Sequence, residues 1–456
     1  MSTITFTSLG QGPDIGSNCY LITHGATSIV LDCGLHPKKE GLESMPNLDA
    51  IEEPPLAVLV SHAHIDHCGA VPRLMKRFPS VQAYATQPTL SIMDRMLHNS
   101  VSVMGTLSME RGIRDYPLYS HNDVEMVVRR TYGLDFEHEF ALDWNSPIRA
   151  RFHPSGHVLG SAGILLQMPG HTLYYSGDLC MNDQELMPAM AAWNGMPPVD
   201  TLVIESTRGA QDDDGQKQTF EGEIERFASA VEEVLVREGV ALVPSFALGR
   251  SQEILNIIAR LMGEGRLPEV PVYASGLGRA VYEIYNKYTE YLRPESNLRP
   301  LSEFRRIGDV WERSVRRELM KSPCIVVATS GMMVENTPSA MIAQEVVQDP
   351  RHGIFFIGYL DPDTPGYKLL HANVGDEILL EVSGHPVEIL LENRRQFSFS
   401  AHASREELCR LVDRIAPKNV VFVHGDPEAV AWMNANCSGD YNRYIPPEAD
   451  SIELDS

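Results

Sequence analysis

Between an apolar run at residues 56–60 and a helix expected to begin near Ala70 stands Ser61-His62-Ala63-His64-Ile65-Asp66-His67-Cys68-Gly69, where four ligand-type side chains fall within six residues. Imidazole and carboxylate are natural ligands of zinc, and a tight turn at a strand end can aim alternate side chains into one pocket while their neighbours face elsewhere. A lone His-x-His is often chance or a satisfied surface pair. Four ligand-type side chains behind a buried strand call for a fold that delivers strand ends to a common site, as α/β proteins do.

The rest of the chain has the matching pattern. Short β-branched runs at 27–31, 56–60, 172–175 and 202–204 read as buried strands, each followed by a polar turn. After about residue 207 helices enter: Phe220, Ile224, Phe227, Val231, Val234 and Leu235 fall at helical spacing within 219–237, and Gly239 follows as a stop. A strand at 240–243, a helix at 251–262 with Ile254, Leu255, Ile258 and Leu261 on one face, and strands at 325–328 and 354–357 flanking a helix at 340–347 predict a second, mostly parallel α/β unit. The acidic turn Asp212, Asp213, Asp214 and Gly215 and the segment Gly384-His385-Pro386 mark its junctions. A last strand at 420–423 ends in His424-Gly425-Asp426, and the acidic residues of 448–455 read as solvated loop and tail.

In their order along the chain these motifs resemble those of the metallo-β-lactamase superfamily. Asp32, ending Ile29-Val30-Leu31-Asp32, matches the aspartate that helps hold the ligand loop; His157 in Ser155-Gly156-His157 and Asp178 in Ser176-Gly177-Asp178 match later ligands. Further matches narrow the resemblance to the β-CASP nucleases, which include ribonuclease J and the endonuclease subunit of the mRNA 3′-end cleavage machinery. Glu205 in Ile204-Glu205-Ser206-Thr207 corresponds to motif A, His402 in Phe399-Ser400-Ala401-His402-Ala403 to motif B, and His424 in Val423-His424-Gly425 to motif C. The segments 245–253, Thr329-Ser330-Gly331-Met332 and Thr364-Pro365-Gly366 are similar to others of that family.

The resemblance implies an αββα metallo-β-lactamase sandwich, built from residues 1–207 and 388–456, with a parallel α/β β-CASP domain inserted at 208–387. It implies two Zn2+ per chain, with His62, His64 and His157 on one, Asp66, His67 and His424 on the other, and Asp178 shared. It further implies hydrolysis of RNA phosphodiester bonds, endonucleolytic, 5′-to-3′ exonucleolytic or both, in RNA processing or decay. Asp66, Glu205 and His402 form the implied catalytic set, with His402 donating a proton or touching phosphate and Glu205 orienting it. Asp32 supports the site, and histidine at motif C favours RNA, single-stranded, over DNA. Arg250, at an expected helix start, and Ser330 are candidate phosphate contacts beside His402. The rival readings are a non-catalytic partner subunit of an RNA-processing complex, a DNA nuclease and a small-molecule hydrolase. Arg208, Asp363 and Tyr367 depart from the family's usual spelling and bear on substrate preference.

Composition restricts how RNA can be held. With 38 basic against 61 acidic residues the net charge is −23, which excludes a broad basic surface for phosphate backbones and points to a confined, metal-centred grip. The most basic stretch, 305–321, interleaves its Arg and Lys with Glu and Asp and reads as a solvated helix face. Seven scattered cysteines without a Cys-x-x-Cys pair fit free thiols in a reducing compartment. With no long apolar stretch, membrane insertion is not expected, and the cytoplasm is the expected location. A homodimer or a protein partner remains open. Cys68 reads as packing, and His153 either as support for a ligand or as a satisfied core histidine.

Overall fold

The computed structural model describes the chain except residues 1–3, 11, 13, 14, 192, 194, 195, 212–218, 382, 383, 449 and 456, so the acidic junction at 212–215 lies outside the described residues. Two compact units emerge, one of Met1–Asp183, Pro188–Gly215 and Ala401–Ser456, the other of Gln184–Met187 and Gln216–Ser400. No helix among the described residues is long and apolar enough to cross a membrane.

The first unit holds two seven-stranded sheets. One runs in the order Ser451–Leu454, Ile4–Ser8, Tyr20–His24, Thr27–Leu31, Ala57–Leu59, Gln82–Thr86, Thr131–Leu134. The other runs Asn442–Tyr444, Asn419–Val423, Thr201–Glu205, His171–Tyr175, Ala162–Met168, Arg149–Pro154, Glu139–Ala141. Alternation sorts each strand's side chains. Ile164 and Leu166 join Phe6, Ile22, Leu31 and Leu59 in the core between the sheets. Leu165, with Leu202, Ile204 and Phe422, faces outward against Leu408, Leu411 and Val412 of helix Arg405–Ile415 and Met433 of helix Pro427–Asn436. The sandwich is thus of the αββα kind.

A helix not expected from the sequence, Gln87–Arg111, buries Ile92, Met93, Leu97, Val101 and Met104 at helical spacing. Its ends carry ordinary signals: the Thr86 side chain accepts from the Thr89 amide, Pro88 sits in the first turn, and Gly112 closes it at φ 70°.

The second unit is a six-stranded, all-parallel sheet in the order Arg305–Arg306, Val272–Ala274, Cys324–Ala328, Val240–Pro244, Gly353–Ile357, Asn393–Phe397. Ala241 and Val243 pack with Phe227 and Ile258 on one face, Val240 and Leu242 with Ile342 and Val346 on the other. Burial on both faces explains why the strands Val240–Pro244, Cys324–Ala328 and Gly353–Ile357 read as unbroken apolar runs.

Three expectations need correction. The acidic C-terminal segment is not all solvated tail, because Ser451–Leu454 pairs antiparallel with Ile4–Ser8, placing Leu454 opposite Ile4 and Ile452 opposite Phe6. Ile452 and Leu454 alternate with polar residues at strand period, a pattern that the flanking acids obscure. Cys409 and Cys437 are joined in a disulfide, against the expectation of thiols throughout, since helix Arg405–Ile415 and the end of helix Pro427–Asn436 cover the same sheet face; Cys19, Cys33, Cys68, Cys180 and Cys324 are buried thiols outside that disulfide. The basic stretch is not wholly a solvated face: Arg316 is buried and donates to the Val310 and Trp311 carbonyls, while Arg313 and Arg317 pair with Glu345.

Within the second unit Glu253 clamps Gln184–Met187, its two carboxylate oxygens accepting the Leu186 amide at 2.9 Å and the Met187 amide at 3.2 Å. Burial pushes this carboxyl up to about 7 against the pull of Arg250 and the two amides. A folded-state pKa above the value of about 4.3 for an exposed glutamate means that the folded unit keeps a proton the unfolded chain releases. The resulting stabilisation is complete below about pH 4.3 and is lost as pH rises through about 7. Calorimetry from pH 4.5 to 8 should therefore show a decline in the second unit's Tm that Glu253→Gln, locked in a neutral form, largely removes.

Candidate metal centre

The ligand-type residues gather where strands of the two sheets end. Asp32 follows Thr27–Leu31, and the neighbouring parallel strand Ala57–Leu59 leads into Ser61 and the short helix Ile65–Cys68. Asp178 follows His171–Tyr175, Glu205 closes Thr201–Glu205, and His424 follows Asn419–Val423, three adjacent parallel strands. His157 lies in the connection between Arg149–Pro154 and Ala162–Met168. His424 takes a left-handed φ of 50°, uncommon for a non-glycine residue and often found where a side chain must be aimed. Gly34 admits no side chain, because a Cβ there would lie 1.7 Å from the Asp66 carbonyl oxygen.

Two groups result. His62, His64, His157 and Asp178 form one, and Asp66, His67 and His424 the other, with the ligand atoms of each within 4.8 Å of one another. Asp178 spans them. Its Oδ2 lies 3.5 Å from Nε2 of both His62 and His157, and its Oδ1 lies 3.4 Å from Nε2 of both His67 and His424. His64 Nδ1 stands 3.0 Å from His62 Nε2 and 3.2 Å from His157 Nε2, and Asp66 Oδ2 stands 3.6 Å from His67 Nε2. Two atoms each about 2.0–2.1 Å from a tetrahedral zinc would be about 3.3–3.4 Å apart. The donor set and its spacing fit a pair of metal ions, and among the described residues the buried Asp178 Oδ1 accepts no hydrogen bond that would compete.

The imidazoles are held from behind. His67 Nδ1 donates to Asp32 Oδ2 at 2.8 Å, and that carboxylate also accepts from the Ser61 amide, the Ser61 hydroxyl and the Tyr175 hydroxyl at 2.6–2.7 Å. His157 Nδ1 donates to the Ala401 carbonyl at 2.9 Å, His62 Nδ1 meets Ser61 Oγ at 3.1 Å, and His424 Nδ1 donates to Asn18 Oδ1 at 3.0 Å. Each bond commits Nδ1 to its partner, so that Nε2 is the ring nitrogen facing the cluster.

Electrostatics mark the same place. Burial, then the charge of His67, presses His424 down to about 3, and burial with His67 and His64 lowers His62 well below the usual range. For His67 burial is outweighed by Asp178, Asp66 and Asp32, which lift it to about 10, while burial raises Asp178 to about 7. A cluster in which one imidazole holds a proton for three carboxylates is short of positive charge, and divalent cations would supply it.

Beside it, Glu205 and His402 form a pair, with His402 Nδ1 3.1 Å from Glu205 Oε2. Burial opposes both charges, yet each partner holds the other charged: Glu205 is lowered by His402, and His402 is raised by Glu205. The Leu179 amide and the Thr207 hydroxyl, each at 2.5 Å, complete the Glu205 carboxylate. The His402 ring lies 4.6 Å from the His157 ring, centroid to centroid, and Arg208 donates to the His402 carbonyl. A third set of metal-compatible residues, Asp178, Glu205 and His402, overlaps this pair.

Arg250 opens helix Arg250–Gly263 as expected, but its guanidinium is buried and donates to the Phe399 carbonyl and the Gln184 side chain. Ser330 Oγ accepts the Val334 amide within a turn. Both belong to the second unit. His153 bonds Glu137 and the Ala191 carbonyl, making it a satisfied core histidine. Cys68 is buried packing. Sequence reasoning missed Asn18 and Ser61, which bond candidate ligands directly, and Tyr175, whose hydroxyl holds the Asp32 carboxylate behind His67; adjacency to the motif was the one signal for Ser61.

Comparison with known proteins matches residues 12–189 to the metallo-beta-lactamase superfamily, 251–369 to the Beta-Casp domain, and 386–446 to the Zn-dependent metallo-hydrolase RNA specificity domain. The chain is 29% identical over 98% of its length to cleavage and polyadenylation specificity factor 73 of Drosophila melanogaster, of which it spans 64%. It is 30% identical over 98% of its length to transcription termination factor FttA of Methanocaldococcus jannaschii, of which it spans 71%. An RNase J-like protein of the same organism is 28% identical, with 91% of each chain covered. A solved structure, a protein of unknown function from Enterococcus faecalis V583, shares the fold with a TM-score of 0.62 at 14% identity, covering 99% of this chain and 100% of that one.

Proposed function

Because this chain belongs to the β-CASP branch of the metallo-β-lactamase superfamily, we propose that it is a zinc-dependent ribonuclease that hydrolyses single-stranded RNA, acting in RNA processing or decay in the cytoplasm. The observation that carries the reading is Asp178, one carboxylate with each oxygen facing a different histidine group, beside the charged pair Glu205–His402. Two zinc ions held by His62, His64, His157, Asp178, Asp66, His67 and His424 would supply hydroxide near neutral pH and offset charge gathering on the phosphate. Asp32, Ser61, Asn18 and the Ala401 carbonyl keep the imidazoles oriented. His402 delivers a proton to the departing ribose oxygen, and Glu205 holds the imidazole in place and supports its positive charge. Histidine at position 424 and the relatives' RNA-related names favour RNA over DNA.

The test is a set of end-labelled RNAs with 5′-triphosphate, monophosphate or hydroxyl ends, incubated with zinc-loaded protein. Products with 5′-phosphate and 3′-hydroxyl ends, lost on chelation, are expected, and the ladder separates internal cuts from 5′-to-3′ trimming. Intact RNA in the presence of two bound ions would overturn the reading in favour of a non-catalytic partner subunit.

The charge on Glu205 also sets a pH limit. It raises the His402 pKa, so Glu205→Gln should lower that pKa and shift the alkaline limb of kcat/KM to lower pH. An unshifted limb would remove His402 from the role of acid.

A further inference from the structure

The support for the two ligand groups is not shared evenly. Asn18 is buried just before strand Tyr20–His24, and its contacts fall on Asp66, His67 and His424, the three residues that complete the second group. Its backbone amide donates to the Asp66 carbonyl at 2.9 Å, and its own carbonyl accepts the Gly34 amide at 2.9 Å, so the residue is fixed before its side chain is considered. The carboxamide has one orientation. Nδ2 donates to the Asp66 carbonyl at 3.1 Å, which turns Oδ1 towards the Tyr20 hydroxyl at 2.8 Å and His424 Nδ1 at 3.0 Å. An oxygen at that point requires His424 to carry its proton on Nδ1, leaving the Nε2 lone pair facing Asp178 Oδ1. The same Nδ2 lies 3.1 Å from His67 Nε2 and bounds that side of the group. By contrast His62 and His157 are oriented by Ser61 and the Ala401 carbonyl.

We propose that Asn18 is a positioning residue dedicated to the second metal, setting the tautomer and aim of His424, so that its loss uncouples the two sites. The proposal rests on the two-metal reading above. Losing a hydrogen-bond partner of a metal ligand typically weakens binding about 10- to 100-fold. Asn18→Leu keeps the volume and removes the acceptor; Asn18→Asp keeps an acceptor for the His424 N–H. Metal-free protein titrated with Co2+ and followed by ligand-field absorbance and metal analysis should bind two ions in the wild type. Asn18→Leu should bind the first normally and the second about 10- to 100-fold more weakly, while Asn18→Asp retains both.

A packing role alone predicts the opposite order, with the leucine tolerated and the buried charge harmful. That order, or equal weakening of both sites in a protein whose circular dichroism is native, overturns the proposal. Should Asn18→Leu not fold, Tyr20→Phe carries the same test: it removes a donor that holds Oδ1 and should weaken the second ion alone, and an unchanged second affinity overturns the proposal. A wild type that binds two ions but leaves RNA intact ends the ribonuclease reading without touching this one; a wild type that binds a single ion ends both.

Discussion

Asp178→Asn should abolish RNA cleavage more completely than any other single substitution, by about 1,000-fold or more, corresponding to several kcal/mol of transition-state stabilisation. Asparagine preserves the shape of the side chain but replaces one acceptor oxygen with an amide donor and removes the charge. One of the two histidine pairs that now face Oδ1 and Oδ2 would then meet N–H groups in place of a lone pair. Metal analysis should find at most one ion per chain, with the fold intact, because the other ligands are held by Asp32, Ser61, Asn18 and Ala401 rather than by Asp178. Two tightly bound ions in this variant would show that the carboxylate does not bridge.

His402→Ala separates chemistry from metal binding. The ring is paired with Glu205 and lies against His157, and a positioned general acid typically contributes about 100- to 10,000-fold to rate. Single-turnover cleavage should fall by that order while both ions remain bound. Full activity would dismiss the proton-donor role. Loss of an ion would instead show that Asp178, Glu205 and His402 act as a third ligand set.

Much of the candidate centre was legible because residues able to hold a metal are spelled by residue type. His62, His64, Asp66 and His67 sit within one turn, and Asp178 and His424 each follow a buried strand that reads as an apolar run, whereas His157 follows Arg149–Pro154, whose mixed Arg, Phe and His give no such signal. The parallel strands Val240–Pro244, Cys324–Ala328 and Gly353–Ile357 were legible for a related reason, since burial on both faces leaves a continuous signal. What escaped depends on neighbours brought together only by folding. Asn18 carries no titratable group, and the three residues of the second group that it touches, Asp66, His67 and His424, lie 48 to 406 positions away. Helix Gln87–Arg111 mixes its buried Ile, Met, Leu and Val with Ser and His, diluting its period. Ser451–Leu454 hides its alternation among acids, and the Cys409–Cys437 spacing of 28 residues says nothing until two helices share a sheet face.

The net charge of −23 takes on a local meaning as well. Asp66 and Asp178 contribute to it, and with Asp32 their carboxylates outweigh burial to lift His67 to about 10, a local excess of negative charge that bound cations would offset. An acidic protein can attract phosphate at that spot once the excess is offset, and its RNA binding should then be modest and salt-sensitive.

The central claim is tested most directly by titrating metal-free protein with zinc while counting bound ions and timing the cleavage of one single-stranded RNA. Cleavage should stay near background in the metal-free protein, climb as the second equivalent binds, and remain flat in Asp178→Asn. RNA cut equally well without metal, or left intact with both ions bound, would contradict it.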